Sequence, residues 1–294
     1  MHRYLSAVGF RKIQKREEFD RMAEFTAESY QIEETAVTSE GEDFSERRKA
    51  FADQMGLMAR GVYNERDEYQ MEYCIPYYTG SHERFYEDMV VERHAEKEAY
   101  SGVCDDVNLG VTLIFYLQNV TEYLNMKRYG HEDHASASVC LSGLSVEGKI
   151  LMPVYQKQPV VSEIRTNQER KRMIQAAREG DEEAIENLTI EDMDTYSMIS
   201  KRIENEDVFS IVTTHFMPCG VECDHYNVMG EITEIKLLEN NHTEEKIYAL
   251  TIDANGIVLD VCINQEDLMG VPAVGRRFRG IIWLQGLVRF EEKW

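Results

Sequence analysis

Hydrophobic and polar positions change their spacing several times along the chain, and each change indicates a different kind of element. Between residues 15 and 30, apolar side chains recur at helical spacing with charges between them, which predicts an amphipathic helix. Residues 56–63 and 68–78 are rich in aromatic and aliphatic side chains around a polar break, which predicts a hairpin. Residues 110–117 lack polar alternation, which predicts a strand buried on both faces.

The rest of the first half predicts further helix and strand. Residues 44–55 carry Phe44, Phe51 and Met55 along one side and are expected to form a second helix. Residues 137–144 and 149–155 flank a polar stretch with a glycine, which predicts another hairpin. Residues 1–165 are therefore expected to form an α+β domain, with helices on one face of a mainly antiparallel sheet.

The segment 166–206 differs in character from both flanks. Capping signals such as Thr166 with Glu169, and Gly180 at a helix end, predict a run of short helices. The segment holds 6 Lys or Arg against 11 Asp or Glu, which makes it an acidic helical connector. Acidic side chains near helix starts are explained by the helix dipole, and docking of a basic protein partner stays open as the alternative.

The last third of the chain alternates strand-like segments with tight turns. Strands are expected at residues 226–238, 246–253, 257–264 and 276–290, with a short helical turn after the third. This order is typical of a small OB-like β-barrel, which we place at residues 207–294. The fold class predicted for the whole chain is therefore α+β, with two domains joined by the connector.

Charge and cysteine usage narrow the functional classes. The chain has 294 residues with 54 Asp or Glu against 32 Lys or Arg, a net charge of −22, which argues against a general nucleic-acid or anionic-membrane binder. No apolar run reaches the length of a signal sequence or a membrane span. Six scattered cysteines are expected to be reduced, buried thiols, so we expect a cytoplasmic protein without a membrane partner.

One cluster has the residue types that bind zinc. His215, Cys219, Cys223 and His225 are spaced H-x3-C-x3-C-x-H. On a straight strand Cys219 and Cys223 would stand about 13 Å apart, too far to share an ion. We therefore predict no metal and no cofactor, and a zinc site remains the alternative.

A second cluster could supply nucleophilic catalysis. His94 lies ten residues before Cys104, and Asp105 and Asp106 follow at once. If the chain turns between them, a thiol, an imidazole and a carboxylate would meet, as a hydrolase or transferase of the nucleophilic type requires. The competing interpretation is a buried thiol in a strand.

A third group could bind single-stranded nucleic acid. Arg277, Arg279 and Trp283 share one face of the last strand by alternation. The opposite face is expected to point into the core and carries Phe278, Ile282 and Leu284. The acidic balance favours arginines paired with the protein's own carboxylates over a nucleic-acid surface.

Four segments resemble a known family. They read MHRYLSAVGF, AYSGVCDDVNLGVTLIFYLQN, EDMDTYSMISKRIENEDVFSIV and MPCGVECDHYNVMGEI. Together they resemble a full-length domain of unknown function from Gram-positive anaerobic bacteria. The resemblance implies a cytosolic bacterial protein and brings no activity or catalytic residues with it.

The sequence leaves three functions open. Because apolar packing explains most of the notable residues, the first hypothesis is a non-enzymatic binding or regulatory protein. The alternatives are a hydrolase or transferase in the N-terminal domain and a C-terminal barrel that binds single-stranded nucleic acid. No phosphate-binding glycine loop is present. A homodimer is the default expectation.

Overall fold

The computed structural model describes residues 2–93, 99–106, 111–128, 134–153, 172–177, 179–190, 193 and 212–290. Most of these residues lie in strands, and helices are few. The described part of the chain contains no helix that is long and apolar enough to cross a lipid bilayer.

The helical elements are a 3-10 helix (Arg3–Val8), α1 (Arg16–Glu28), α2 (Val120–Arg128) and a second 3-10 helix (Gln265–Asp267). The strands in the first half are β1 (Ile32–Val37), β2 (Asp43–Ala52), β3 (Met55–Tyr63), β4 (Tyr69–Tyr78), β5 (Glu83–Arg93), β6 (Tyr100–Asp106), β7 (Val111–Leu117) and β8 (His134–Leu151). Those in the second half are β9 (His215–Pro218), β10 (His225–Glu239), β11 (Lys246–Ala254), β12 (Ile257–Asn264), β13 (Leu268–Met269) and β14 (Arg277–Phe290). Residues 172–177 and 182–190 are also helical.

The strands form one small and one large sheet. The small sheet is antiparallel with the order β1-β2-β3-β4. The large sheet has ten strands, and its pairings close two circuits that share β8 and β14. One circuit runs β8-β5-β6-β7-β14, and the other runs β8-β12-β11-β10-β14.

The two long strands join the two halves of the chain. β14 pairs antiparallel with β8 from Arg277 opposite Leu151 to Phe290 opposite Ala137. Because strand neighbours alternate faces, one side of β14 lines the inside of both circuits. Phe278, Ile282 and Leu284 are on that side and fully buried, which confirms the predicted core face.

A second layer of core lies outside the circuits. It is built from the N-terminal 3-10 helix, α1, the inner face of the small sheet, and the opposite face of β14. Tyr4, Leu5 and Val8 are each at most 3 % exposed in this layer. The N-terminal apolar residues therefore pack as core, and they bring His2 and Tyr4 up to Trp283.

Two local predictions are wrong. Residues 44–55 form strand β2 and the start of β3, because the charged side chain of Glu46 pairs across strands with Arg60 instead of facing water. The hairpin predicted near residue 146 is absent from the fully described strand β8. Gly148 serves packing there, since an added Cβ would lie 2.5 Å from the ring of Phe278.

Several other predictions are confirmed. The hairpin of β3 and β4, strand β7, helix α1 and the four C-terminal strands occur where the pattern placed them. Burial of both faces of β7 was wrong, because Thr112 is exposed and Ile114 is half-buried. The turn between β11 and β12 has positive φ at Asn255 and Gly256, as the turn residues indicated. Two of the connector helices are seen at 172–177 and 182–190, and the remainder of the segment 166–206 lies almost entirely outside the described residues.

Candidate functional site

A cavity of about 670 Å³ lies where the N-terminus, the loop 219–224 and β14 meet. We call it the His2–Trp283 cavity. Its lining consists of His2, Arg3, Tyr4, Ala99, Tyr116, Val221, Glu222, Cys223, Asp224, His225 and Trp283.

Backbone and side-chain hydrogen bonds hold the loop against the sheet. His225 begins β10 directly opposite Trp283 of β14. The Trp283 indole N–H donates to Asp224 Oδ2 at 2.7 Å, and the backbone N–H of Leu284 donates to the Asp224 carbonyl at 2.9 Å. The N–H of Cys219 donates to the His225 carbonyl at 2.9 Å, so the loop closes on itself at its base.

Aromatic rings form the walls of the cavity. Trp283 packs against His2, Tyr4 and Tyr116 at centroid distances of 4.6, 5.8 and 5.1 Å. Tyr4 also contacts the His225 ring at 5.4 Å. Rings at these separations attract each other beyond simple area burial, so the walls are held in place.

His225 lies between two carboxylates. Its Nδ1 is 2.9 Å from Asp224 Oδ1, and its Nε2 is 3.0 Å from Glu222 Oε2. Burial alone would raise the pKa of Asp224, but hydrogen bonds from His225 and Trp283 outweigh it and lower that pKa below 3.8. Asp224 is therefore an anion at neutral pH, and both of its carboxylate oxygens are engaged.

We expect Asp224→Asn to lower the free energy of unfolding by about 1–3 kcal/mol at pH 7 through weakened charge-assisted bonds. A carboxyl whose pKa is depressed in the folded state stabilises above its unfolded pKa, and that stabilisation is lost as pH falls through the folded pKa. The difference from wild type should therefore shrink at acid pH, once the pH falls below the usual pKa of an aspartate. Urea titrations of both proteins between pH 7 and pH 3 measure this difference in the free energy of unfolding. A difference that stays constant over this range would contradict the assignment.

Tyr4 brings an unpaired polar atom to the cavity. Its side chain is 2 % exposed, and its hydroxyl has no hydrogen-bond partner among the described residues. Burial raises the pKa of Tyr4 to about 12, with Glu222, Cys219 and Asp224 adding to the shift and Arg3 opposing it. The hydroxyl therefore lies beside the loop 219–224 and stays protonated at neutral pH.

His2 is neutral in this environment. Burial and the positive charge of the chain's amino terminus lower its pKa to about 4. Its Nδ1 accepts the backbone N–H of Tyr4 at 3.3 Å, so the ring proton is carried by Nε2. His2 thus adds a hydrogen-bond donor to the site without adding charge.

The residues predicted as a zinc alternative do not gather around one point. His215 on β9 contacts Asn227 Oδ1 through Nε2 at 3.0 Å, whereas His225 faces Asp224 and Glu222. Within the described ranges, no three His, Cys, Asp or Glu side chains are placed to share a metal ion. Cys223 and His225 instead line the His2–Trp283 cavity.

The residues predicted for nucleophilic catalysis lie on and near β6. His94 is outside the described residues. Cys104 and Asp106 point inward, while Asp105 is exposed on the other face. Asp106 pairs with Arg84 at 2.9 Å, and burial raises the pKa of the Cys104 thiol to about 12. At neutral pH this cysteine is therefore a thiol, which is a poor nucleophile.

The residues predicted for nucleic-acid binding are largely buried. Arg277 is 6 % exposed and donates to the carbonyls of Met152, Val212 and Thr213, at the two ends of the segment 153–212. Trp283 is 4 % exposed, within the aromatic walls. Arg279 is half-buried and lines a separate cavity of about 380 Å³.

The sequence pointed to three residues of this cavity, but as candidates for other kinds of site. Cys223, His225 and Trp283 were singled out as zinc or nucleic-acid candidates, and all three line the cavity. His2 and Tyr4 carried no motif, and only tertiary packing brings them to the loop. The local signals were the cluster of Cys, Glu, Asp and His at residues 222–225 and the alternation that set Trp283 on one face of β14.

The chain matches a family of known sequences over nearly its whole length. A family model described as "Domain of unknown function, E. rectale Gene description (DUF3881)" matches residues 5–286. No curated protein and no solved structure matches the chain.

Proposed function

We propose a function from the geometry of the site, because the chain belongs to DUF3881, a family described only as a domain of unknown function. In this proposal the protein is a non-enzymatic binding protein, and the His2–Trp283 cavity holds a small organic molecule. The observation that carries it is a cavity of about 670 Å³ with aromatic walls and a buried, unpaired tyrosine hydroxyl. Small-molecule sites are typically 300–1,000 Å³ and mainly apolar with a few placed polar groups.

The Tyr4 hydroxyl supports a ligand that forms hydrogen bonds. A buried polar atom without a partner destabilises a fold by about 1–3 kcal/mol. A ligand atom that bonds to this hydroxyl would recover that energy on binding. The Nε2–H of the neutral His2 ring adds a donor at the same wall.

The polar groups of the cavity support binding better than catalysis. Among the described residues that line it, Asp224 uses both oxygens and His225 both nitrogens for bonds within the protein. Burial raises the pKa of Cys223, which disfavours a thiolate. A general base or nucleophile needs a free, correctly directed atom, and the side chains of Asp224 and His225 are held by each other.

A panel of single-ring compounds with a hydroxyl, amine or carboxylate tests the proposal through intrinsic tryptophan fluorescence, to which Trp283 in the cavity wall contributes. We expect Tyr4→Phe to weaken binding of the best compound about tenfold, corresponding to one hydrogen bond of about 1.4 kcal/mol. The ligand-free variant should be as stable as wild type, or up to about 1 kcal/mol more stable, because the substitution removes an unpaired hydroxyl.

Tyr69→Phe is the matched control. Its hydroxyl is also buried without a partner among the described residues, but Tyr69 does not line the cavity. Equal effects of the two substitutions on affinity, or no binding by any compound in the panel, would refute the proposal.

Two further statements belong to the same proposal. We infer that the circuit β8-β12-β11-β10-β14 is the OB-like barrel predicted from the sequence, with β8 contributed from outside residues 207–294. A closed ring of five pairings supports this. A cytoplasmic location is supported by the six cysteines, which are all free, four of them buried.

A further inference from the structure

We propose that the His2–Trp283 cavity selects an organic cation, that is, an ammonium or guanidinium group on a small apolar body. This inference rests on the proposed binding function and names its ligand class.

The first support is that a cation of the chain itself, the guanidinium of Arg3, lies against the cavity wall. The exposed Arg3 side chain places its guanidinium carbon 5.7 Å from the centroid of the Tyr4 ring. Cations within about 6 Å of an aromatic face are attracted by the ring's quadrupole. The Tyr4 ring is therefore already engaged with a cation, and a ligand cation could take the place of Arg3.

The second support is the charge that remains when Arg3 moves away. The titratable side chains that line the cavity are Glu222, Cys223 and Asp224 from the loop 219–224, His225 at the start of β10, Tyr116 on β7, and His2, Arg3 and Tyr4 from the N-terminus. His2, Tyr4 and Cys223 are uncharged at neutral pH. Two carboxylates then face His225 and the positive amino terminus near His2, so the cavity carries no net positive charge once Arg3 has left it.

The third support is the position of Glu222, whose carboxylate is exposed enough to contact a ligand. Glu222 is 70 % exposed at its side chain and is held only through His225 Nε2 among the contacts described here. It stands beside the aromatic walls that Tyr4 and Trp283 help to form. A cation with an N–H donor can therefore meet an aromatic wall and a carboxylate together, while the net charge of −22 steers cations toward the protein.

Three probes of matched shape separate charge from ring stacking: benzylammonium, benzyl alcohol and benzoate. Titration of the full chain at neutral pH, followed by intrinsic tryptophan fluorescence, should show benzylammonium binding several-fold more tightly than benzyl alcohol. Benzoate should bind most weakly.

Two substitutions are expected to change the affinity for benzylammonium in opposite directions. Glu222→Gln should weaken benzylammonium binding about three- to tenfold and leave benzyl alcohol unchanged. Arg3→Ala should strengthen benzylammonium binding two- to fivefold, because it removes the competing guanidinium. Glu234→Gln, which changes an exposed carboxylate outside the cavity, should leave both affinities unchanged.

The outcomes distinguish this inference from the proposed function. Tighter binding of benzoate that Arg3→Ala weakens, or equal binding of benzyl alcohol and benzylammonium, would overturn cation selection. A Tyr4→Phe effect in the same experiment would then still support a binding cavity. Absence of binding by all three probes would overturn cation selection. The proposed binding function would then be decided by the full panel of single-ring compounds.

Discussion

Replacing Arg60 with methionine is expected to lower the free energy of unfolding by about 3–5 kcal/mol, the usual effect of breaking a buried ion pair. Arg60 on β3 and Glu46 on β2 are both fully buried, with Arg60 Nε 2.7 Å from Glu46 Oε2. The same guanidinium donates to the Tyr116 hydroxyl and to the Leu117 and Gln118 carbonyls. The substitution would leave all of these acceptors without that donor.

This network connects the small sheet to the large one. Glu46 and Arg60 belong to the small sheet, while Tyr116 and Leu117 end β7 of the large sheet. Burial alone would lower the pKa of Arg60, but Tyr116 and Glu46 hold it above its usual value. Arg60 therefore stays charged, and its loss should loosen the contact between the sheets.

Urea unfolding followed by circular dichroism measures the effect. Arg16→Met is the control, because Arg16 and Asp20 form an exposed pair at 3.8 Å, with side chains 85 % and 54 % exposed. Exposed pairs contribute about 0–1 kcal/mol, so the control should stay close to wild type. Similar stability for the two variants would show that the buried network contributes no more than a surface pair.

Phe115→Ala is expected to destabilise the fold by a similar amount, about 3–5 kcal/mol, through the cavity it leaves. Phe115 on β7 is fully buried. Its ring fills the space above two glycines: a Cβ added at Gly102 would lie 2.2 Å from the ring, and one at Gly286 would lie 2.4 Å from it. Neither glycine has a side chain that could fill the gap.

The same geometry predicts that Gly286→Ala lowers stability when Phe115 is present and raises it when Phe115 is replaced by alanine. Gly286→Ala alone should destabilise the protein by about 1–3 kcal/mol, because the new methyl group collides with the ring. Added to Phe115→Ala, it should recover part of the lost stability, since the methyl group then enters the cavity. Phe85→Ala, at a side chain 50 % exposed, should change stability little. Simple additivity of the Gly286 and Phe115 substitutions would contradict this packing.

The spacing of apolar and polar residues correctly predicted the elements whose apolar residues recur with a regular period. α1, the hairpin of β3 and β4, β7 and the C-terminal strands follow from apolar periodicity and turn residues, because each signal lies within the element itself. The same reasoning was wrong for β2. Phe44, Phe51 and Met55 suggested the apolar side of a helix, whereas the segment pairs as a strand in which Glu46 is neutralised by Arg60, fourteen residues later, and by Arg48.

The sequence by itself determined that the protein is acidic, rich in strand and free of phosphate-binding glycine loops, since these properties depend on composition and short-range spacing. The tertiary structure alone decided how β8 and β14 unite the two halves and which residues share the His2–Trp283 cavity. Tyr4 and Asp224 are 220 positions apart in the chain and meet only because the N-terminal helix packs on β14. Contacts of that separation arise from the burial of whole surfaces, which no local pattern encodes.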